Sequence, residues 1–590
     1  MRRQLTTWLK TFARRKTLAI ALIGLAPLVL RAMLLPWFGA PHPRVQDEFS
    51  HLLVADTFAE GRMVNPVHPM WAHFESMHIL VRPVYASPFP IAQGLIMAAG
   101  QIVNGHPWAG VWISVGLMCA ALCWMLQGWV SPGWALLGGA LAAVRFGVLS
   151  YWMDSYYGGA MGALGGALVL GAMGRMMRRS NWGDGVVMGA GFAILANSRP
   201  YEGFVFSLPV AVTLIWVVRR RLAILLPLIF ILAATAAAMA YYCARVTGNP
   251  LQLPYSLYRS STMAPHFLWQ SPRPEPLYLH RVLHDYHAGW EMGCYNDAIA
   301  DRPPRGVVDK AKSYWRFYLG PFLTIPLLAI PLLWRRRRGR FLLVTGSLVS
   351  AGLAVEVWHA PHYAAPAAGL AMLLVIESLR QMRQTAAAFL VPVAVLGCLL
   401  TPVIDGSGQS PGGQDRARIL KRLESAEGRH LVLVRYPLSH DVGDEWVYNR
   451  ADIDNAKVVW AREMDPGSNR ALLSYFQARH AWLIEPDNRP VTLAPYDPSV
   501  APDPLFRFIP LGTEAIEALR SPEEVRRKVL GKVRNEYPKP FLFNCDQWSF
   551  FFTAVTGVQP PDTSRGCFPP GRRAAPVSFE EWFAWLGKQR

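Results

Sequence analysis

The chain has 590 residues, 52% of them hydrophobic, and a formal net charge of +19. Residues 404–590 hold about 25 basic and 24 acidic side chains, so nearly all the excess lies in residues 1–403, in clusters that abut apolar runs: Arg14-Arg15-Lys16, Arg178-Arg179, Arg219-Arg220-Arg221 and Arg335 to Arg338. Such clusters orient membrane helices, which excludes nucleic acid as a partner and makes the lipid bilayer one.

The first apolar run, Thr17 to Leu35, is too long for a signal-peptide core and lacks a small-residue cleavage site. It is expected to remain as an anchor, with the N-terminus cytoplasmic. The following polar stretch, PRVQDEFSHLLVADTFAEGR, carries Asp47 and Glu48. A carboxylate pair beside hydrocarbon is costly and reads first as functional. The same acids also suit the first turn of a helix beginning near Phe49, where negative charge favours the helix dipole.

Further apolar runs lie at roughly 108–127, 133–150, 159–176, 184–198, 203–218, 222–243, 316–334, 341–358, 361–379 and 385–403. Residues 90–103 are apolar over only about 14 positions, the length of a re-entrant or interfacial helix. With that segment excluded, about eleven crossings place every Arg cluster on the cytoplasmic side and the C-terminus outside. In a bacterial-type inner membrane the outer side is the periplasm. Five polar pieces then share that side: residues 37–89, SYWMDSYYGG (150–159), NSRPYEG (197–203), 246–315 and HAPHY (359–363). The small residues from Gly158 to Gly166 predict close helix packing.

After Pro402 the Gly-rich run IDGSGQSPGGQD reads as a linker into a soluble α/β domain at 404–500. Its strands are HLVLVRY (430–436), KVVWARE (457–463) and AWLIEPD (481–487), with a helix at 469–480. No Gly-rich fingerprint follows a strand, so no nucleotide cofactor is inferred. Residues 501–590 read as an aromatic-rich helical extension. If this region meets an oxidising compartment, Cys545 and Cys567 can close a loop. The fold class is therefore a polytopic α-helical membrane protein, residues 1–403, with a small C-terminal α/β domain.

Several residues carry chemistry. Asp154 is a second outer acid, suited to orienting a substrate or sharing a metal, or else a solvated turn residue. Arg199 and Glu202 can form an ion pair, or Arg199 can hold a phosphate bidentately. The loop 246–315 mixes aromatics with Arg259, His280, His284 and His287, a composition that stacks on sugars and neutralises phosphate. The spacing of the three histidines also admits a metal, and a divalent cation is the one cofactor left open. His359, His362 and Tyr363 abut a span and are phosphate candidates. His68, His73, Glu75 and His78 of the first loop are suggestive without being specific.

The DE pair, its amphipathic continuation (Phe49, Leu52, Leu53, Ala55, Phe58) and AEGR resemble the first outer loop of GT-C membrane glycosyltransferases. The likeness is greatest to the protein O-mannosyltransferase and lipid A aminoarabinose transferase group, which is glycosyltransferase family 39-like. SPFPIAQGL (87–95) stands where that family carries a KPPL-like motif, Asp154 matches a further outer acid, and HYAAPAAG (362–369) resembles an RYLLPLLP start. Lys and Pro-Pro are missing from SPFPIAQ, and His362 replaces an Arg. The resemblance spans roughly residues 17–400 and implies a GT-C-like fold, a polyprenyl-phosphate sugar donor and a catalytic base in the first loop, assigned to Asp47 with Glu48 as helper. Such a transfer needs one base, because phosphate leaves as an anion without a general acid, whereas glycoside hydrolysis needs two carboxyl groups. The acceptor is a glycan, lipid or protein of unspecified identity. The alternatives are a lipid-linked glycan flippase or a non-catalytic polysaccharide assembly protein. The flippase is disfavoured by the lack of an inverted repeat and by few mid-span charges beyond Arg145 and Glu356.

Overall fold

The computed structural model describes residues 11–499 apart from 180, 220–224, 275, 277, 301–303, 383, 401–410 and 438–439. The predicted extension 501–590, with Cys545 and Cys567, lies outside the described residues. The helices that frame the site are α1 (Lys16–Phe38), α2 (Gln46–Ala59), α3 (Ala92–Asn104), α4 (Trp108–Trp129), α5 (Pro132–Ala142), α6 (Gly159–Met176), α7 (Trp182–Ala196), α8 (Pro200–Val218), α9 (Leu226–Thr247) and α10 (Pro254–Ser260).

Among the described residues six helices are long and apolar enough to cross a membrane: α1, α4, α6, α8, α9 and Pro361–Gln381. The pair Gly306–Tyr318 and Gly320–Arg335, bent by 95°, makes a seventh if counted as one span. The protein is thus a polytopic membrane protein. The remaining predicted crossings fall in helices too: Pro132–Val148, Trp182–Ala196 and Phe389–Cys398 are apolar but shorter, and 341–358 lies largely in Arg337–Ala354. At 1.5 Å per residue, α3 reaches only about 20 Å, short of the hydrocarbon thickness of about 30 Å. It packs between α2 and α4.

Arg145, one of the mid-span charges, is buried and satisfied. It donates from Nε to Phe317 O at 2.9 Å and also to Arg316 O, the carbonyls freed where the bent pair breaks. A guanidinium at a helix C-terminus opposes the negative end of its dipole.

Helix α6 lies against α4, α7 and the turn Pro361–Ala367. A Cβ on Gly166 would lie 1.9 Å from Pro366 O, so only glycine permits this approach. The contact fixes the segment bearing His362 and Tyr363.

The C-terminal strands β1 (His430–Val434), β2 (Val458–Arg462), β3 (His480–Ile484) and β4 (Leu493–Pro495) form one sheet in the order β2-β1-β3-β4. The first three are parallel, with Val432 opposite Trp460 and Trp482, and β4 is antiparallel. Central β1 is buried on both faces, as parallel strands require. Leu431 and Leu433 pack with Leu53, Phe74, Ile79 and Tyr85 of the first loop, while Val432 and Val434 face Ile419 and Leu423 of helix Pro411–Ser425. The helix expected at 469–480 runs instead from Pro466 to Tyr475. Asp465 caps it by accepting from the N–H groups of Gly467 and Ser468, with proline in the first turn, and His480 already belongs to β3.

Replacing Gly166 with Ala is expected to cost about 2 kcal/mol by overpacking. Thermal unfolding in detergent should show a lowered midpoint for Gly166→Ala, whereas Gly133→Ala, at a position open to space, should be neutral or slightly stabilising.

Candidate active site

Helix α2 begins one residue before the acid pair, so Asp47 and Glu48 both fall in its first turn. Their roles then separate. Glu48 is buried, and its Oε2 accepts from the N–H groups of Arg44 (2.8 Å) and Val45 (3.3 Å). Its Oε1 accepts from the N–H of Tyr156 at 3.0 Å. Both oxygens are spent, capping α2 and tying it to the 150–159 turn. Burial pushes the Glu48 carboxyl up to about 7, against the opposing pull of these bonds.

Asp47 keeps a side chain one-third exposed (33%), and His78 Nε2 stands 3.5 Å from its Oδ1. The Asp47 carboxylate interacts electrostatically with Arg199, Tyr255 and Tyr363. These three line a cavity of about 520 Å³ bounded by the 196–202 turn, α9, α10 and the 264–273 segment. Arg199, Arg259 and Arg273 are among its lining residues, as are the apolar Phe89, Met239, Tyr242 and Leu253.

The other expected residues fall as follows. Asp154 pairs with Arg31 of α1 at 2.8 Å, and Arg31 also donates to Gly39 O. Burial raises the Asp154 carboxyl although Arg31 pulls the other way. Arg199 and Glu202 stand 3.7 Å apart, a loose pair, and the Arg199 guanidinium lies 4.7 Å from the centre of the Tyr363 ring. Arg259 donates to Glu291 Oε1 at 2.8 Å. His362 is turned toward the 150–159 turn, with Nδ1 3.0 Å from Tyr151 OH and its ring stacked on Tyr157. His359 is exposed, outside the cavity lining, near Asp309 and Lys310.

The helical face imagined for three histidines does not form. His280 contacts Ala72 O, His284 contacts Asp285, and His287 contacts Glu291. The chain there passes from the turn Arg281–His284 into a π-helical turn, Asp285–Glu291, which rotates the ring positions apart. Among the described residues no group of three His, Cys, Asp or Glu side chains has the arrangement to hold a metal ion. His68, His73 and Glu75 serve the contact with the C-terminal sheet. His73 Nδ1 lies 2.8 Å from Arg462 O, His68 Nε2 lies 3.1 Å from Asp454, and the Glu75 carbonyl accepts from Arg462 Nε.

One feature, Arg31, was not singled out from the sequence. Arg31 is a lone charge inside the first apolar run, and that isolation was the available signal. Glu291 is buried beside His287 and Arg259. Burial would raise its carboxyl, but the His287 hydrogen bond and the Arg259 charge prevail and hold it down to about 2.

No protein-family model and no curated protein matches this sequence. Among solved structures the chain is similar to apo ArnT from Cupriavidus metallidurans, at 12% identity over 78% of this chain and 92% of that one, with a TM-score of 0.47. It is likewise similar to ArnT bound to undecaprenyl phosphate, at 11% identity, 81% and 93% coverage and a TM-score of 0.47. The Archaeoglobus fulgidus oligosaccharyltransferase tethered to an acceptor peptide is similar at 10% identity, 81% and 69% coverage and a TM-score of 0.44.

A carboxyl raised by folding binds its proton more tightly in the native state. Its stabilisation is therefore full below the ordinary value of 4.5 and is lost as pH rises to about 7. The loss is on the order of 3 kcal/mol at most. Glu48→Gln should flatten this descent in melting temperature measured across pH 4 to 8 (roughly the titration window).

Proposed function

We propose that this protein is a GT-C type integral membrane glycosyltransferase. It moves a sugar from a polyprenyl-phosphate donor to a hydroxyl acceptor on the outer, periplasmic side of an inner membrane, with Asp47 as general base. The observation that carries this reading is the division of the acid pair: Glu48 is consumed by three backbone N–H groups, while Asp47 stays accessible within electrostatic range of an arginine-lined cavity.

In the reaction the acceptor oxygen attacks the anomeric carbon as its proton passes to Asp47 Oδ. The bond from that carbon to the phosphate oxygen breaks, and the phosphate departs with the electron pair. Arg199, whose pairing with Glu202 is loose, and Arg259, a second lining residue, take the growing negative charge in this reading. Tyr255, Phe89 and Tyr363 offer rings to the sugar. Met239, Tyr242 and Cys243 lie on α9, a helix apolar enough to cross the membrane, and give the prenyl chain an apolar wall. Asp154, held by Arg31, stands next to the Tyr156 backbone that grips Glu48 and suits acceptor orientation. The sheet following residue 404 belongs, in this reading, to an outer domain that covers the first loop.

Asp47→Asn should cut turnover by at least about 100-fold while leaving binding of undecaprenyl phosphate within a few-fold. Arg199→Ala should do the reverse and weaken undecaprenyl phosphate binding by about tenfold or more. Release of the lipid phosphate from a panel of undecaprenyl-phosphate sugars measures turnover, and fluorescence titration of the protein in nanodiscs measures binding. A flippase or scaffold would be indifferent to Asp47→Asn.

A further inference from the structure

Helix α8 and the helix Arg337–Ala354 pack side by side in opposite directions. Where α8 starts, Tyr201 OH donates to Gly352 O at 3.2 Å, and where it ends, the Arg337 guanidinium lies 3.7 Å from the centre of the Trp216 ring. At 1.5 Å per residue α8 is about 28 Å long, close to the hydrocarbon thickness of about 30 Å. Its first residues, Pro200 to Glu202, line the cavity, so Trp216 and Arg337 stand at the opposite boundary of the membrane. Tryptophan and arginine are the side chains that favour that boundary.

Trp216 is shared by two cations. Arg219, the residue at which α8 ends, holds its guanidinium 4.9 Å from the centre of the same ring. The two like charges thus stand within about 9 Å of each other, a separation at which salt screens them only in part. The face of the ring attracts each guanidinium but supplies no counter-charge. Among the described residues neither arginine has an ion-pair partner, and Glu377, a carboxylate near Arg338 at this end, is held by Arg380 at 2.9 Å.

Each of the two arginines also tops an exposed apolar stripe. Leu208, Val212 and Ile215 precede Arg219 at helical spacings on α8, and Val344 and Leu348 follow Arg337 on the other helix. Two cations above two apolar stripes match, with opposite charge, the plan of a phospholipid that carries one phosphate above two acyl chains. Charge complementarity selects an anionic lipid, because a zwitterionic one would bring its own cation against the arginines. We propose that Trp216, Arg219 and Arg337 form a binding site for one anionic phospholipid, its phosphodiester held between the two guanidiniums and its acyl chains lying along the two stripes. Guanidinium geometry suits a phosphodiester, and occupancy ties the end of α8 to the start of its neighbour. The site is separate from the cavity and independent of the reaction there.

The test uses full-length protein, delipidated in detergent and titrated with phosphatidylglycerol or phosphatidylcholine of the same acyl chains, with bound lipid counted by native mass spectrometry. The wild type should bind its first phosphatidylglycerol about tenfold or more tighter than its first phosphatidylcholine. Arg219→Gln combined with Arg337→Gln should remove that preference. Arg335→Gln combined with Arg336→Gln takes the same charge from exposed neighbours outside the Trp216 contact and should keep the preference to within about threefold. Trp216→Leu leaves both charges but no ring to gather them, and should weaken phosphatidylglycerol several-fold. All these positions are exposed, so lipid-free melting midpoints should stay within a few degrees of wild type. A wild type without the preference overturns the proposal. Equal losses in the two double variants also overturn it, because they reveal diffuse attraction to the arginines. Soluble glycerophosphoglycerol competing with the affinity of the intact lipid would do the same, since the apolar stripes would then contribute nothing.

Discussion

Three backbone N–H groups converging on one buried carboxylate, Glu48, organise the first loop of this protein. The Arg44 and Val45 groups start helix α2, and the Tyr156 group belongs to a turn more than a hundred positions away, so one side chain sets both the origin of the helix and its distance from that turn. Unpaired N–H groups at a buried helix start are costly, and a carboxylate is the acceptor best able to serve three. With that demand met by Glu48, its neighbour is left with no capping duty. Because successive helix positions are rotated by about 100°, Asp47 projects toward His78 instead.

The C-terminal sheet uses the same first loop as its other surface. Period-two alternation along β1 gives Leu431 and Leu433 to the loop and Val432 and Val434 to the helix behind. Phe49, immediately after the acid pair, stacks on Tyr448 with centroids 4.3 Å apart and lies under the Arg416 guanidinium. Asp56 accepts from Arg450, the Ala451 N–H and Gln101, joining α2, α3 and the sheet in one carboxylate. The layer therefore covers the first loop through both apolar burial and ion pairs.

Much of this was legible in the sequence because it rests on periodicity. Apolar runs located the helices, the short run at 90–103 announced a short helix, and strands appeared where valine and leucine alternate between turn signals. The lengths of the helices were less legible, since apolar runs continue past the point where Ala142 or Ala196 ends its regular turns. The acid pair was visible, but deciding which acid caps required knowing that α2 starts at Gln46, a one-residue distinction that periodicity cannot make. Pairings across long separations were not legible. Arg31 lies 123 positions from Asp154, and nothing local to HAPHY foretells that His362 turns to Tyr151.

The link between Asp56 and Arg450 spans 394 positions. At a synthesis rate of about 5–20 residues per second, the first loop emerges roughly 20 to 80 s before the strands that will cover it. Throughout that interval Phe49, Phe74 and Tyr85 have no sheet to lie against, although the membrane helices between them are already inserting. Assembly is therefore ordered by the ribosome: the helical part emerges first, and the first loop gains its cover only when the strands at 430–495 arrive.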